Sequence, residues 1–231
     1  MKNKYLSILI LLLTSILYIS CDKNESEEIT EDIYVTIPDI KFEEELIALG
    51  IDSDNTVNHQ ILKTDAKSVE RLSISFNNIE NLEGIESFVN LKRLYADANN
   101  LKTINLSNNT LLDTISLSSN ELTSVIGLSK VKNLKWLSLS FNYFQEFILE
   151  NSSIETLLIT NNDIILFDAT KAPSLRFINL GTNNIEHLDF TQNLLLENLF
   201  FSANKLETIN LDANVNLKYI YCSSNLLKEF D

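Results

Sequence analysis

Cys21, Cys222, His59 and His187 are the thiols and imidazoles of this 231-residue chain, and they lie far apart in sequence. Two cysteines cannot build a disulfide framework or a four-cysteine zinc site. Two distant histidines leave little material for acid–base or nucleophilic chemistry, and no glycine-rich phosphate loop occurs. Asp52-Ser53-Asp54-Asn55 resembles the start of a calcium loop, but such a loop needs Gly at its sixth position and Glu at its twelfth. Val57 and Lys63 stand there, so a polar turn is expected. The chain is read as a non-enzyme with no metal and no cofactor. What remains is the chemistry of recognition. Aromatic rings and guanidinium groups supply contact area and directed charge, and a recurring asparagine supplies amide donors and acceptors.

Composition narrows the possible partners. Lys and Arg number 18 against 32 Asp and Glu, a net charge of −14. A nucleic-acid backbone is not an expected partner, because phosphate contacts need clustered Lys and Arg. Leu (39) and Asn (29) together dominate the sequence, while Gly (4) and Pro (2) are scarce. An apolar fraction of 45% is ordinary for a folded chain and too high for wholesale disorder.

The N-terminus reads as an address. Lys2 and Lys4 precede an apolar run from Tyr5 to Ser20, which is short for the roughly 20 residues of a membrane-spanning helix. Residues 1–20 are expected to be a secretory signal. Cys21 ends the run, and Asp22 to Asp32 hold six acids and one Lys, so 21–36 is expected to be a solvated tether. Ser20-Cys21 after an apolar run resembles the lipobox of bacterial lipoproteins, with Tyr18 where that family usually carries an aliphatic residue. The resemblance implies acylation of Cys21 and a membrane anchor of several chains. The acids after Cys21 also resemble signals that send lipoproteins to the surface of some Gram-negative cells, which implies an outer-membrane protein at the cell surface.

The pattern L-x-x-L-x-L-x-x-N-x-L then recurs eight times. Examples are LKRLYADANNL (91–101), LKWLSLSFNYF (134–144) and LRFINLGTNNI (175–185). Its asparagines are Asn77, Asn99, Asn120, Asn142, Asn162, Asn183, Asn204 and Asn225, which repeat every 20–22 residues. This is the leucine-rich repeat pattern. The segments LEGIESFVNL and IGLSKVKNL resemble the repeats of internalin-like surface proteins, and the others resemble those of Gram-negative surface lipoproteins. The implied fold is a leucine-rich repeat solenoid over 69–231, with a parallel β-sheet on the concave face and extended or 3₁₀ segments on the convex face. The asparagines should form a ladder that satisfies backbone groups inside the coil.

A coil of this kind needs its ends covered. Residues 37–68 are read as an N-terminal cap with a short helix, with Asp39 as N-cap, Phe42, Leu46 and Leu49 on the apolar face, and Gly50 as helix stop. No C-terminal cap is visible; Leu217, Ile220, Cys222, Leu227 and Phe230 fall in the last coil, so self-association there is one expectation.

Strand residues alternating with the buried aliphatics must face the concave side. That register places Arg71, Arg93, Tyr95, Trp136, Phe177, Phe200, Tyr219 and Tyr221 there as candidate ligand-binding residues. Small residues of the next column should leave the face open. Arg71 and Arg93 could hold a carboxylate or sulfate, or pair with neighbouring acids. The resemblance implies a protein partner and adhesion. A glycan stacked on the aromatic rings and an envelope-scaffold role are the alternatives.

Overall fold

The computed structural model describes residues 33–228. The expected signal 1–20, Cys21, the tether up to Asp32, and Phe230 lie outside the described residues.

The cap starts earlier than the sequence suggests. Strand β1 (Tyr34–Thr36) pairs antiparallel with β2 (Gln60–Leu62), Val35 opposite Ile61, so the end of the expected tether is structured. Helix α1 (Ile40–Ala48) begins where Asp39 Oδ1 accepts hydrogen bonds from the amides of Lys41 (2.8 Å) and Phe42 (3.1 Å). It ends in a Schellman motif. Gly50 takes φ +68°, its N–H donates to the Ile47 carbonyl, and Ile51 N–H donates to the Leu46 carbonyl. Phe42 and Leu46 are fully buried, but Leu49 is 44% exposed because the motif turns it outward. A second helix, α2 (Lys63–Ser68), beyond the one short helix expected for the cap, brings the chain to the first repeat. The other carboxylate oxygen of Asp39 accepts from the amides of Glu80 and Asn81, at 2.7 and 2.8 Å, and ties the cap to repeat one.

The acidic stretch at Asp52 is a polar turn. Asp52 Oδ1 accepts from Asp54 N–H, and Asp54 Oδ1 from Thr56 N–H. Glu43, also buried, accepts from the amides of Asn58 and Gln60. Burial pushes the Asp52 carboxyl above its ordinary range, with Asp54, Glu43 and Asp65 adding repulsion.

The coil proper runs through β3 (Arg71–Ser73), β4 (Arg93–Tyr95), β5 (Thr103–Asn105), β6 (Thr114–Ser116), β7 (Ser124–Ile126), β8 (Trp136–Ser138), β9 (Glu146–Ile148), β10 (Thr156–Leu158), β11 (Leu166–Asp168), β12 (Phe177–Asn179), β13 (Asn198–Phe200) and β14 (Tyr219–Tyr221). Eight of these form one parallel sheet in the order β3-β4-β6-β8-β10-β12-β13-β14. The sequence pattern predicts each of these eight strands. Leu134, Leu137 and Leu139 show why: all three are fully buried, and each such side chain stabilises by roughly 1.5–3 kcal/mol. The convex side carries the parallel pairs β5·β7 and β9·β11 and two 3₁₀ turns, Ile85–Ser87 and Leu128–Lys130.

Asparagine amides run through the coil as two ladders. In the concave one, Asn142 Nδ2 donates to the carbonyls of Leu117 (3.0 Å), Leu139 (3.0 Å) and Ser140 (3.3 Å), while its Oδ1 accepts from Leu122 N–H at 2.9 Å. Asn99, Asn120, Asn162, Asn183 and Asn204 repeat this bonding and are buried; Asn77 and Asn225, at the two ends, are half-buried. A second, convex ladder lies outside the L-x-x-L-x-L-x-x-N-x-L pattern. Asn109, Asn151, Asn193 and Asn214 each donate to two backbone carbonyls one repeat back.

A third ladder is ionic. The residue two places before each central strand residue alternates in sign along the whole sheet: Glu70, Lys92, Asp113, Lys135, Glu155, Arg176, Glu197, Lys218. Lys92 meets Glu70 at 2.9 Å, Lys135 meets Glu155 at 2.7 Å, and Glu197 meets both Arg176 (2.8 Å) and Lys218 (2.6 Å). Opposite charges across neighbouring strands support the register, whereas a run of like charges would oppose it. The lysine and arginine bonds hold the Glu155 and Glu197 carboxyls below the usual carboxylate range.

Candidate binding surface on the concave sheet

The sheet register sets the face. Arg71, Arg93, Thr114, Trp136, Thr156, Phe177, Asn198 and Tyr219 lie side by side across the eight strands, and Ser73, Tyr95, Ser116, Ser138, Leu158, Asn179, Phe200 and Tyr221 form the adjoining column. The central residues between these columns are buried aliphatics from Leu72 to Leu199, with Ile220 half-buried. None of the eight candidate residues is enclosed by the coil: Arg71, Arg93, Tyr219 and Tyr221 are exposed, and Tyr95, Trp136, Phe177 and Phe200 are half-buried.

At the cap end, the Arg71 guanidinium carbon sits 5.0 Å from the centroid of the Tyr95 ring, a cation–π contact. Arg93 Nε lies 3.8 Å from Asp113 Oδ1. Arg93 is thus turned toward an acid of its own chain, and the two arginines do not converge into one anion site.

At the other end the rings touch. Phe177 and Phe200 lie 5.1 Å apart and Phe200 and Tyr221 4.8 Å apart, tilted at 60° and 50°. Tyr219 and Tyr221 are each 59% exposed. Trp136 is not part of this group. Thr156 separates it from Phe177 in the column, so the aromatic residues form a cluster and an outlying ring.

Hydroxyls pave the middle. Ser116 Oγ donates to Asp97 Oδ1 at 2.6 Å, Ser118 N–H donates to the same oxygen, and Ser118 and Ser138 hydroxyls meet at 2.6 Å. Thr160 N–H donates to Ser140 Oγ. Ser116, Ser138 and Ser140 are buried, so the small residues do more than keep the face open: they bond to one another and to Asp97 and fix its floor.

Sequence reasoning missed a set of exposed aromatics at the rim. The residue before each ladder asparagine is left-handed in every repeat, with φ between +52° and +67°. In repeats one and four that residue is Phe76 and Phe141, 79% and 57% exposed, and Tyr143 is exposed beside the second. A bulky side chain at positive φ is strained. The signal was the recurring Phe-Asn pair, whose side-chain direction depends on a dihedral angle that the repeat pattern does not state. Cys222 takes a core-side position in the last strand turn and is half-buried, with its thiol free. Among the described residues, no group of three or more His, Cys, Asp or Glu side chains could hold a metal ion.

The coil is similar to solved leucine-rich repeat structures. The functional domain of InlJ from Listeria monocytogenes, which includes a cysteine ladder, matches with TM-score 0.64 and 25% identity over 86% of this chain. The present chain spans about half (49%) of that domain. Internalin C2 from L. monocytogenes matches with TM-score 0.72 and 20% identity, over 84% of this chain and 88% of its own. The leucine-rich repeat domain of APL1B matches with TM-score 0.57 and 25% identity over 63% of this chain and 45% of its own. No protein-family model matches the sequence, and no curated protein matches it. The fold is therefore a leucine-rich repeat solenoid, an architecture typical of protein–protein interaction.

Proposed function

We propose that this chain is an exported, lipid-anchored cell-surface protein that binds a protein partner through its concave sheet. The contiguous Phe177–Phe200–Tyr221 cluster carries the reading. Three rings in contact, beside an exposed Tyr219 and a fixed hydroxyl floor, offer the rigid aromatic area that dominates interface energetics. Support for the address comes from the sequence: a basic start and apolar run of the secretory type, Cys21 in a lipobox-like position as the proposed acyl acceptor, and an acidic stretch after it that resembles surface-export signals.

The test is capture of a surface protein by the wild-type chain and by a Phe200→Ala, Tyr221→Ala variant. Loss of at least about tenfold in affinity is expected from removing two hot-spot rings; unchanged capture would remove the concave face from the proposal. Labelling with radioactive palmitate, absent in Cys21→Ala, checks the anchor, and protease access on whole cells checks the exterior location.

A second reading is favoured by Trp136. This lone ring lies between Thr114 and Thr156 on the neighbouring strands, and a flat ring flanked by hydroxyls suits a sugar. Glycan binding lost in Trp136→Ala but kept in the Phe200/Tyr221 variant would support it.

A further inference from the structure

The cap covers the first end of the concave sheet without pairing to it. Phe42, Leu46 and Val69 are buried and close the apolar end of the coil, but the cap strands β1 and β2 pair only with each other. β3 therefore stands at the edge of the eight-stranded sheet. The hydrogen bonds show what this leaves open. In the other seven strands, the residue aligned with Arg71 donates its N–H to the preceding repeat: Arg93 to the Glu70 carbonyl, Trp136 to Asp113, Tyr219 to Glu197. The residue aligned with Ser73 accepts through its carbonyl from the preceding repeat: Tyr95 from Ile74, Ser138 from Leu117, Tyr221 from Phe201. Arg71 N–H and Ser73 C=O have no repeat before them and no partner among the described residues. Two places on, Asn77 Nδ2 closes the Ser75 carbonyl at 3.1 Å, so the open edge runs from Arg71 to Ser73.

There is room beside this edge. Arg71 and Ser73 are both exposed, whereas Ser116 and Ser138, aligned with Ser73 further along the sheet, are buried. A groove of about 400 Å³ runs here, lined by Leu49, Ile51 and Val69 on one side and by Glu70, Arg71 and Ser73 on the other. Leu49 is the residue that the helix-ending motif turns outward. The charges of the groove are not equal. Glu70 is already paired with Lys92. Arg71 leans on the Tyr95 ring and meets no acid among the described residues.

We infer that the edge of β3 takes an extended segment of a partner protein as a ninth strand of the concave sheet. Backbone groups of the segment meet Arg71 N–H and Ser73 C=O, since an unpaired edge is a template for another chain. Successive side chains of a strand point to opposite faces. One side chain of the segment faces the concave side beside Arg71 and is an Asp or Glu. Its two neighbours face the apolar wall of Leu49, Ile51 and Val69 and are aliphatic. The net charge of −14 does not oppose such a segment, because exposed charges more than about 8 Å away are screened at physiological salt. Phe177 lies five strands along, about 24 Å from this edge, so the site does not rest on the aromatic cluster.

Labelled Thr-Val-Asp-Val-Thr is the probe, and its binding to the chain is read by fluorescence anisotropy up to about 1 mM. A strand added to an edge is bonded on one side only, so its amides alternate between bonded and free. Methylating the Asp amide alone, or the two Val amides alone, should cost at least about tenfold in one case and little in the other. A peptide with Asn for Asp should bind about threefold less tightly, and Arg71→Ala should erase that difference. Ser73→Pro removes an outward N–H, leaves the pairing of Leu72 and Ile74 with β4 in place, and should abolish binding with the thermal midpoint kept. The Phe200→Ala, Tyr221→Ala variant should bind the peptide as the wild type does. No binding at that concentration, equal loss in the two methylated peptides, or full binding by a folded Ser73→Pro variant would overturn the inference. So would a dimer in sedimentation that Ser73→Pro abolishes, because a second copy would then hold the edge. The methylated peptides use the wild-type chain and decide the matter even where the proline variant does not fold.

Discussion

Asn142 on the concave side and Asn193 on the convex side are both buried amides that donate to backbone carbonyls of the preceding turn, yet they end differently. Asn142 Oδ1 receives Leu122 N–H, so the concave amide is bonded on both sides. Asn193 Oδ1 is buried with no partner, as are the Oδ1 atoms of Asn109 and Asn214. Asn151 is the exception on the convex side, because the amide and hydroxyl of Ser153 both donate to it. The strand side of the coil keeps one backbone path from repeat to repeat, so an amide N–H always arrives at the same place. The convex side mixes turns, strands and irregular segments, so only the donor half of the amide finds a regular partner.

The largest effect should come from the fully bonded rung. Asn142→Leu is expected to cost on the order of 3 kcal/mol, because three carbonyls and one N–H lose a partner inside the coil. Asn193→Leu should cost about half as much, since only two carbonyls lose a donor and one unpaired oxygen goes with it. Denaturant unfolding of both variants measures the difference, and equal costs would break the comparison.

Leu195 stands two residues after Asn193, where Ser153 follows Asn151, and it is exposed. Leu195→Ser should supply the missing donor and raise stability by about 1 kcal/mol. No gain in unfolding midpoint would mean that the serine at 153 is incidental.

Smaller effects separate the ionic ladder from the cap. The folded carboxyls of Glu155 and Glu197 are held low by Lys135, Lys218 and Arg176, so their contribution is fully present above the ordinary carboxylate range and is lost as pH falls below that range and through their lowered folded values. Glu197→Gln should lower the thermal midpoint slightly at neutral pH, leave less to lose on acidification, and matter less in high salt. Asp52 has the opposite sign. Its raised folded value makes the charged form a burden at neutral pH, and that burden lifts as pH falls through the folded value. Asp52→Asn keeps an acceptor for Asp54 N–H and should raise the neutral-pH midpoint of the cap by the smallest amount of the series. A fall would show that the charge itself holds the turn.

Much of the coil is legible in the sequence. Eight central strands, the helix opened by Asp39 and closed by Gly50, and the outward columns all follow from local patterns with short-range causes. The convex ladder was less legible. Asn109, Asn193 and Asn214 end the similar segments LKTINLSNN (101–109), IEHLDFTQN (185–193) and LETINLDAN (206–214), but Asn151 ends no such segment, and the segments alone do not state that their asparagines are buried. Leu49 was misplaced because a helical spacing says nothing of the turn that ends the helix. Strand β1 was hidden because its partner β2 lies across the whole of α1.

By itself, the sequence determined the period, the strands and the inside-out sense of each strand, because alternation about a buried aliphatic leaves a strand one way to face. Tertiary structure decided what those residues meet. It joined Phe177, Phe200 and Tyr221 while leaving Trp136 apart, and turned Arg93 to Asp113 and Arg71 onto Tyr95. These outcomes depend on which side chains stacking brings within reach across repeats, and a pattern that is the same in every repeat carries no record of that.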